Sequence, residues 1–144
     1  MTWDGLFLGK PMLIDVNLRR VVLASGTDHQ YIYLQECGGG RSFPIMIGNT
    51  EANEIHRVVH GQSAARPLTH QLTQAMVEGL GGKITGVDIV DLKQNTFFAR
   101  IHIEGPSGEV HIDARPSDAI ALALRARAPL RAEEHVIAAA GEDA

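Results

Sequence analysis

Cysteine is almost missing from this chain. Cys37 stands alone among 144 residues, so no disulfide can form within it. A single thiol fits a reducing compartment. No apolar run approaches the roughly 20 residues that a membrane-crossing helix needs. No basic stretch followed by an apolar one opens the chain, as a secretory leader would. A cytoplasmic protein without a membrane span is expected. Basic charge is in short supply as well. The net charge is −4, with 13 Lys and Arg against 17 Asp and Glu, which argues against phosphate binding by bulk charge alone. Gly-x-Ser-x-Gly, Gly-x-Gly-x-x-Gly and His-Glu-x-x-His are all absent, which removes the motif grounds for a serine hydrolase, a dinucleotide site or a zincin.

What is present reads as one α+β domain over residues 1–144 with a core from about 12 to 141. Apolar residues make up 44% and charged residues 21%, the composition of a chain that folds rather than one that stays disordered. Residues 1–11 carry little pattern and read as a leader or an edge segment. Residues 13–24 are extended. Tyr31–Leu34 and Phe43–Ile47 are strands of aromatic and β-branched residues joined through Gly38-Gly39-Gly40. Asn49 or Thr50 can cap a helix to about His60. A second helix follows Pro67, from Leu68 to Leu80, and its stripe of Leu68, Leu72, Ala75, Met76 and Leu80 is expected to face the core. A three-strand meander comes next: Ile84–Leu92, Thr96–Glu104 and Glu109–Arg115, turned at Gln94-Asn95 and at Gly105–Gly108. A nearly all-apolar helix, Ser117–Arg127, belongs in the interior. A short helix at Glu133–Ala140 follows, and Gly141–Ala144 is expected to fray. The fold class is thus α+β: a mixed or antiparallel sheet, with the meander in its C-terminal half, packed with about four helices.

Alternation assigns the meander two faces. Val90, Leu92, Phe97, Ala99, Ile101, Ile103, Val110 and Ile112 form the apolar one. Asp91, Arg100, His102, His111, Asp113 and Arg115 form the polar one. The turns place Glu104 opposite Glu109, His102 opposite His111, Arg100 opposite Asp113, Phe98 opposite Arg115, Asp91 beside Phe98 and Ile89 beside Arg100.

Three constellations carry candidate chemistry. Asp113-Ala114-Arg115-Pro116-Ser117-Asp118 joins a strand end to a helix start, where free backbone N–H groups favour an anion. Asp113 suits a general base or a metal ligand, Arg115 a phosphate clamp and Asp118 a second carboxylate. The plainer account makes Ser117 an N-cap and pairs Arg115 with Asp113. Arg66-Pro67-Leu68-Thr69-His70 stands at another helix start, with His70 able to exchange protons near neutral pH. His102, His111 and Asp113 can approach one another as metal ligands. Asp91, Asp113 and Asp118 can hold magnesium through oxygen. His29, His56, His60 and His135 have no evident partners.

At these residues the chain resembles the bifunctional nuclease family. The stretches that carry the resemblance are Phe43-Pro44-Ile45-Met46-Ile47-Gly48 with Glu51-Ala52, then Arg66–His70, then Asp91–Arg100, then Ile112–Ala123. The resemblance implies a mixed α+β fold, a nuclease acting on DNA and RNA with little sequence choice, and self-association as a homodimer. Two departures stand out. Arg131 and Ala132 make the stretch after the long helix more polar than the short apolar strand of similar chains, and Gly38–Gly40 looks local to this chain.

Phosphodiester hydrolysis needs an activated water, a cation beside phosphorus and a proton for the leaving oxygen. The expected division gives Asp113, with Asp118, to water activation or to a divalent cation such as magnesium. His70 donates or relays a proton. Arg66, Arg115 and Ser117 hold the phosphate, and Lys93 and Arg100 follow the nucleic-acid backbone. The rival expectations are a non-catalytic module that binds an anion or a protein, and a structural homo-oligomer assembled through the apolar sheet face.

Overall fold

The computed structural model of the protein describes residues 12–143. The expected leader at residues 1–11 and the final Ala144 lie outside the described residues. In chain order the elements are β1 (Leu13–Val22), β2 (His29–Glu36), β3 (Arg41–Gly48), α1 (Asn49–Val59), α2 (Thr69–Gly79), β4 (Lys83–Lys93), β5 (Thr96–Gly105), β6 (Gly108–Ala114), α3 (Pro116–Ala126), β7 (Leu130–Glu133), α4 (Glu134–Ala140) and β8 (Glu142–Asp143). The strands form one mixed sheet in the order β6-β5-β4-β7-β1-β2-β3-β8. The pairs are antiparallel except β4 with β7. This is the expected α+β arrangement.

β1 links the two halves of the sheet. Its first residues, Leu13–Asp15, pair with β7, and the rest pair with β2 across an irregularity at Leu18–Arg20. The sheet curls. The rings of Phe43 on β3 and Phe97 on β5 stack at 5.8 Å between centroids, although four strands separate β3 from β5 in the sheet order. A flat sheet would hold them about 24 Å apart. The curl encloses α3, whose Ala119–Ala123 are buried as an all-apolar helix requires. Ile32, Leu34, Phe43, Ile45, Val87 and Ile89 close around it. Each such side chain contributes about 1.5–3 kcal/mol by leaving water.

The Gln94-Asn95 turn behaves as its sequence demands. Both residues have positive φ, 51° and 63°, the geometry of a two-residue hairpin. The β5–β6 register also matches expectation: Glu104 faces Glu109, His102 faces His111 and Arg100 faces Asp113.

Elsewhere the structure corrects the reading. The β4–β5 ladder shifts between Ile89 and Asp91, so Asp88, not Ile89, lies opposite Arg100. The bulge absorbs Val90 and restores the expected Asp91–Phe98 pairing. The β5–β6 ladder ends at Ala99–Ala114, before Phe98 and Arg115 can pair. The α2 stripe does not face the core. Leu72, Met76 and Leu80 are 52%, 60% and 80% exposed, Ala75 is exposed too, and His70 is the buried residue of that helix. Helical spacing reports that a face is apolar, not what covers it. Glu142 and Asp143 do not fray but pair with Ser42 and Arg41. The stretch Leu130–Glu133 is a strand despite Arg131, because Leu130 and Ala132 point inward. No helix among the described residues is long and apolar enough to cross a membrane.

Candidate active site

Three helices begin at one place. β3 runs directly into α1 through Gly48, the extended residues before α2 end at Leu68, and β6 runs into α3 through Arg115. Arg115 is extended (φ −66°, ψ 145°) as the residue before proline prefers, and Pro116 takes the first helical position. Ser117 is therefore inside the helix and buried, not its cap. None of the three helices has a side-chain cap, although Gln71 accepts a bond from the Leu68 N–H at 3.0 Å.

A buried ion pair holds α1 to α3. Glu54, 3% exposed, bonds Arg57 at 2.6 Å on its own helix and Arg125 of α3 at 2.9 Å. Nothing local in the sequence distinguishes Glu54 from a surface glutamate.

The first turns of the three helices share a hollow of about 370 Å³ lined by residues that include Glu51, Thr69, His70, Arg115 and Asp118. His70 Nε2 lies 2.9 Å from Asp118 Oδ1. Arg115 forks onto the same carboxylate, Nε to Oδ2 at 2.9 Å and Nη2 to Oδ1 at 3.2 Å. Its Nη2 also reaches Glu51 at 3.5 Å. Burial pushes the Asp118 carboxyl up, but the bonds from Arg115 and His70 outweigh it and hold the group below the usual aspartate range. An ionised Asp118 accepts the Nε2–H of His70. That leaves Nδ1 as the lone-pair nitrogen of the ring.

Arg115 is the most open member, with its side chain 63% exposed. It also borders a second hollow of about 440 Å³ that includes Ser117, Phe97 and Asn95. Its Nη1 has no partner among the described residues, so one edge of the guanidinium is free for an oxyanion.

Of the sequence-derived candidates, His70, Arg115 and Asp118 meet, and Ser117 borders the adjoining hollow. The others stand elsewhere. Asp113 is exposed on β6 opposite Arg100, and no ion pair joins it to Asp118 or Arg115 among the described residues. Arg115 pairs with Asp118 and Glu51 rather than with Asp113. Lys93 pairs with Asp91 at 3.4 Å and lies over the Phe98 ring. Arg66 is exposed before α2 and makes no hydrogen bond to the His70–Asp118 pair among the described residues. His135, expected to lack a partner, reaches Asp91 at 3.4 Å.

The profile of the bifunctional nuclease domain matches residues 32–144, which begin within β2 and include every residue of this site. The chain belongs to the bifunctional nuclease domain family. It is 40% identical over 110 residues to an uncharacterized protein of Mycobacterium tuberculosis, an alignment that covers 76% of this chain and 65% of the relative. Bifunctional nuclease 2 of Arabidopsis thaliana is 27% identical over 112 residues, covering 75% of this chain and 34% of the plant protein. Bifunctional nuclease 1 of Oryza sativa subsp. japonica is 22% identical over 115 residues, covering 78% and 35%. The part of this chain that aligns spans about a third of the plant proteins' length and about two thirds of the mycobacterial one.

Proposed function

We propose that this bifunctional nuclease domain hydrolyses phosphodiester bonds of DNA and RNA at the His70–Asp118–Arg115 cluster. The observation that carries the reading is one carboxylate that orients an imidazole at 2.9 Å while a half-exposed arginine forks onto it. In this reading Asp118 fixes the ring and Arg115 offers its free edge to the phosphate. His70 takes a proton from the attacking water as the new P–O bond forms, and the departing sugar oxygen takes up a proton from solvent as the old bond breaks. Both oxygens of Asp118 are already engaged. Magnesium at Asp118 would compete with the charged guanidinium that already forks onto it, so the reading assigns this carboxylate to orientation and places no metal on it.

A separate hollow of about 830 Å³ supports a polyanionic substrate. Arg19, Arg20, His56 and His60 are among its lining residues, and no carboxylate is among the described residues of that lining. The sequence does not announce this cluster, because its members come from β1 and α1. It supplies the local basic surface that the acidic net charge hides. The reading gives it, with Arg66, Arg100 and Lys93, to contacts along the nucleic-acid backbone. It also includes self-association, with a second copy of the chain covering the bare stripe of α2.

The test uses purified wild type, Asp118→Asn and Arg115→Ala, each shown to be folded. They are assayed on single- and double-stranded DNA and RNA with and without chelator. Wild-type rates in both variants reject the site. A wild type with no activity on any substrate favours the other reading, in which Asp118 and Arg115 together staple the three helix starts in a module that binds an anion.

A further inference from the structure

On the far side of the meander a second polar group is assembled from four strands. His102 of β5 faces His111 of β6 in the ladder, with the rings edge to face at 4.5 Å. Glu109 precedes His111 on the same face. Its Oε1 lies 2.5 Å from His111 Nε2 and 3.3 Å from His102 Nδ1. The three ligand atoms lie within 4.8 Å of one another. Behind them Asp88 of β4, 4% exposed, places Oδ2 2.7 Å from His102 Nε2. Arg131 of β7 grips Asp88 with Nε–Oδ1 at 3.0 Å and Nη2–Oδ2 at 3.3 Å.

This order of contacts fixes the tautomer. A buried carboxylate at 2.7 Å keeps the proton on His102 Nε2. In the neutral ring the lone pair of Nδ1 is then aimed at the Glu109 carboxylate, with the His111 ring nitrogen beside it. Lone pairs converging on one point need a cation between them: a shared proton where the atoms sit at hydrogen-bond distance, or a metal ion that they open to coordinate. A buried carboxylate that holds the outer N–H of a ligand histidine is the usual support of a metal-bound imidazole.

We propose that His102 Nδ1, His111 Nε2 and Glu109 bind one divalent transition-metal ion of the zinc class. Two imidazoles and one carboxylate suit zinc and its neighbours rather than magnesium, which prefers oxygen ligands. Three protein ligands leave a fourth position. Glu109 and His111 are 60% and 46% exposed, so that position opens to solvent and can take water or an anionic ligand. Asp88 is the positioning residue and Arg131 holds it. The β4 bulge makes this possible, because it puts Asp88 on the face that carries His102.

The test is direct binding of zinc to the full chain by calorimetry, repeated with cobalt, whose visible bands report the ligand set. Magnesium is the control. One zinc per chain is expected. His111→Ala and Glu109→Gln change exposed residues and are expected to leave the fold intact while weakening binding at least about 10-fold; Asp88→Asn should weaken it about 10- to 100-fold. His60→Ala, which breaks the stacked His56–His60 pair, should leave binding unchanged. Absence of stoichiometric zinc binding overturns the proposal. So does binding that survives both His111→Ala and Glu109→Gln, since the ion would then be held elsewhere. Neither result bears on the nuclease reading, which places no metal on Asp118.

Discussion

His70 and Asp118 are separated by 48 positions in the chain, yet their side chains meet at 2.9 Å. Arg115 closes the arrangement from the strand end that precedes Asp118. Removing the carboxylate while keeping the shape is the sharpest probe of this contact. Asp118→Asn and His70→Gln are expected to lower the nuclease rate about 100-fold or more on both DNA and RNA, the scale on which a positioned acid–base group acts. Single-turnover hydrolysis of a labelled oligonucleotide measures it.

Asp113 gives a contrast within the same motif. It lies on β6 opposite Arg100, without an ion pair to the His70–Asp118 cluster among the described residues. Asp113→Asn is therefore expected to change the rate less than 10-fold, a small step on the general acid–base scale. A loss as deep as that of Asp118→Asn would move the catalytic centre toward β6.

Acid titration separates the state of Asp118 from its shape. An ordinary unfolded aspartate titrates at about 3.9. Folded Asp118 lies below its usual value, because Arg115 and His70 outweigh burial. The unfolded chain therefore binds more protons between the two values, so this group's stabilisation is fully present above about pH 4 and is lost as the pH falls through the folded value. Urea midpoints of wild type and Asp118→Asn should differ at neutral pH and converge on acidification. A gap that stays constant to low pH contradicts the assignment.

Glu54 holds α1 against α3 from a nearly buried position. Glu54→Ala leaves Arg125 facing the interior without its partner. A loss of about 3 kcal/mol is expected from breaking such a pair, measured by denaturant unfolding. The activity of the fraction that remains folded should persist, since Glu54 makes no hydrogen bond to His70 or Asp118 among the described residues.

The exposed stripe of α2 tests assembly. Leu72, Met76 and Leu80 form a larger apolar patch than a lone surface residue explains. Leu72→Glu with Met76→Glu should convert an oligomer to monomer in sedimentation velocity without loss of helix content. A wild type that sediments as a monomer removes the second copy from the reading.

The sequence by itself determined the local elements. Alternation and turn chemistry settle the meander, because Gln94-Asn95 and Gly105–Gly108 leave few ways to reverse the chain, and the β5–β6 register follows from the second turn. The apolar run at Ala119–Leu124 settles α3 as an interior helix. It also marked His70, Arg115 and Asp118 as side chains at helix starts. Only the tertiary structure decided which starts meet, because α1, α2 and α3 are brought together by a curled sheet and by Glu54 bridging to Arg125. The bulge that turns Asp88 toward His102 and the exposure of α2 were likewise invisible in the sequence. Periodicity records which side of an element is apolar, while bulges and coverings are set by contacts between residues far apart in the chain.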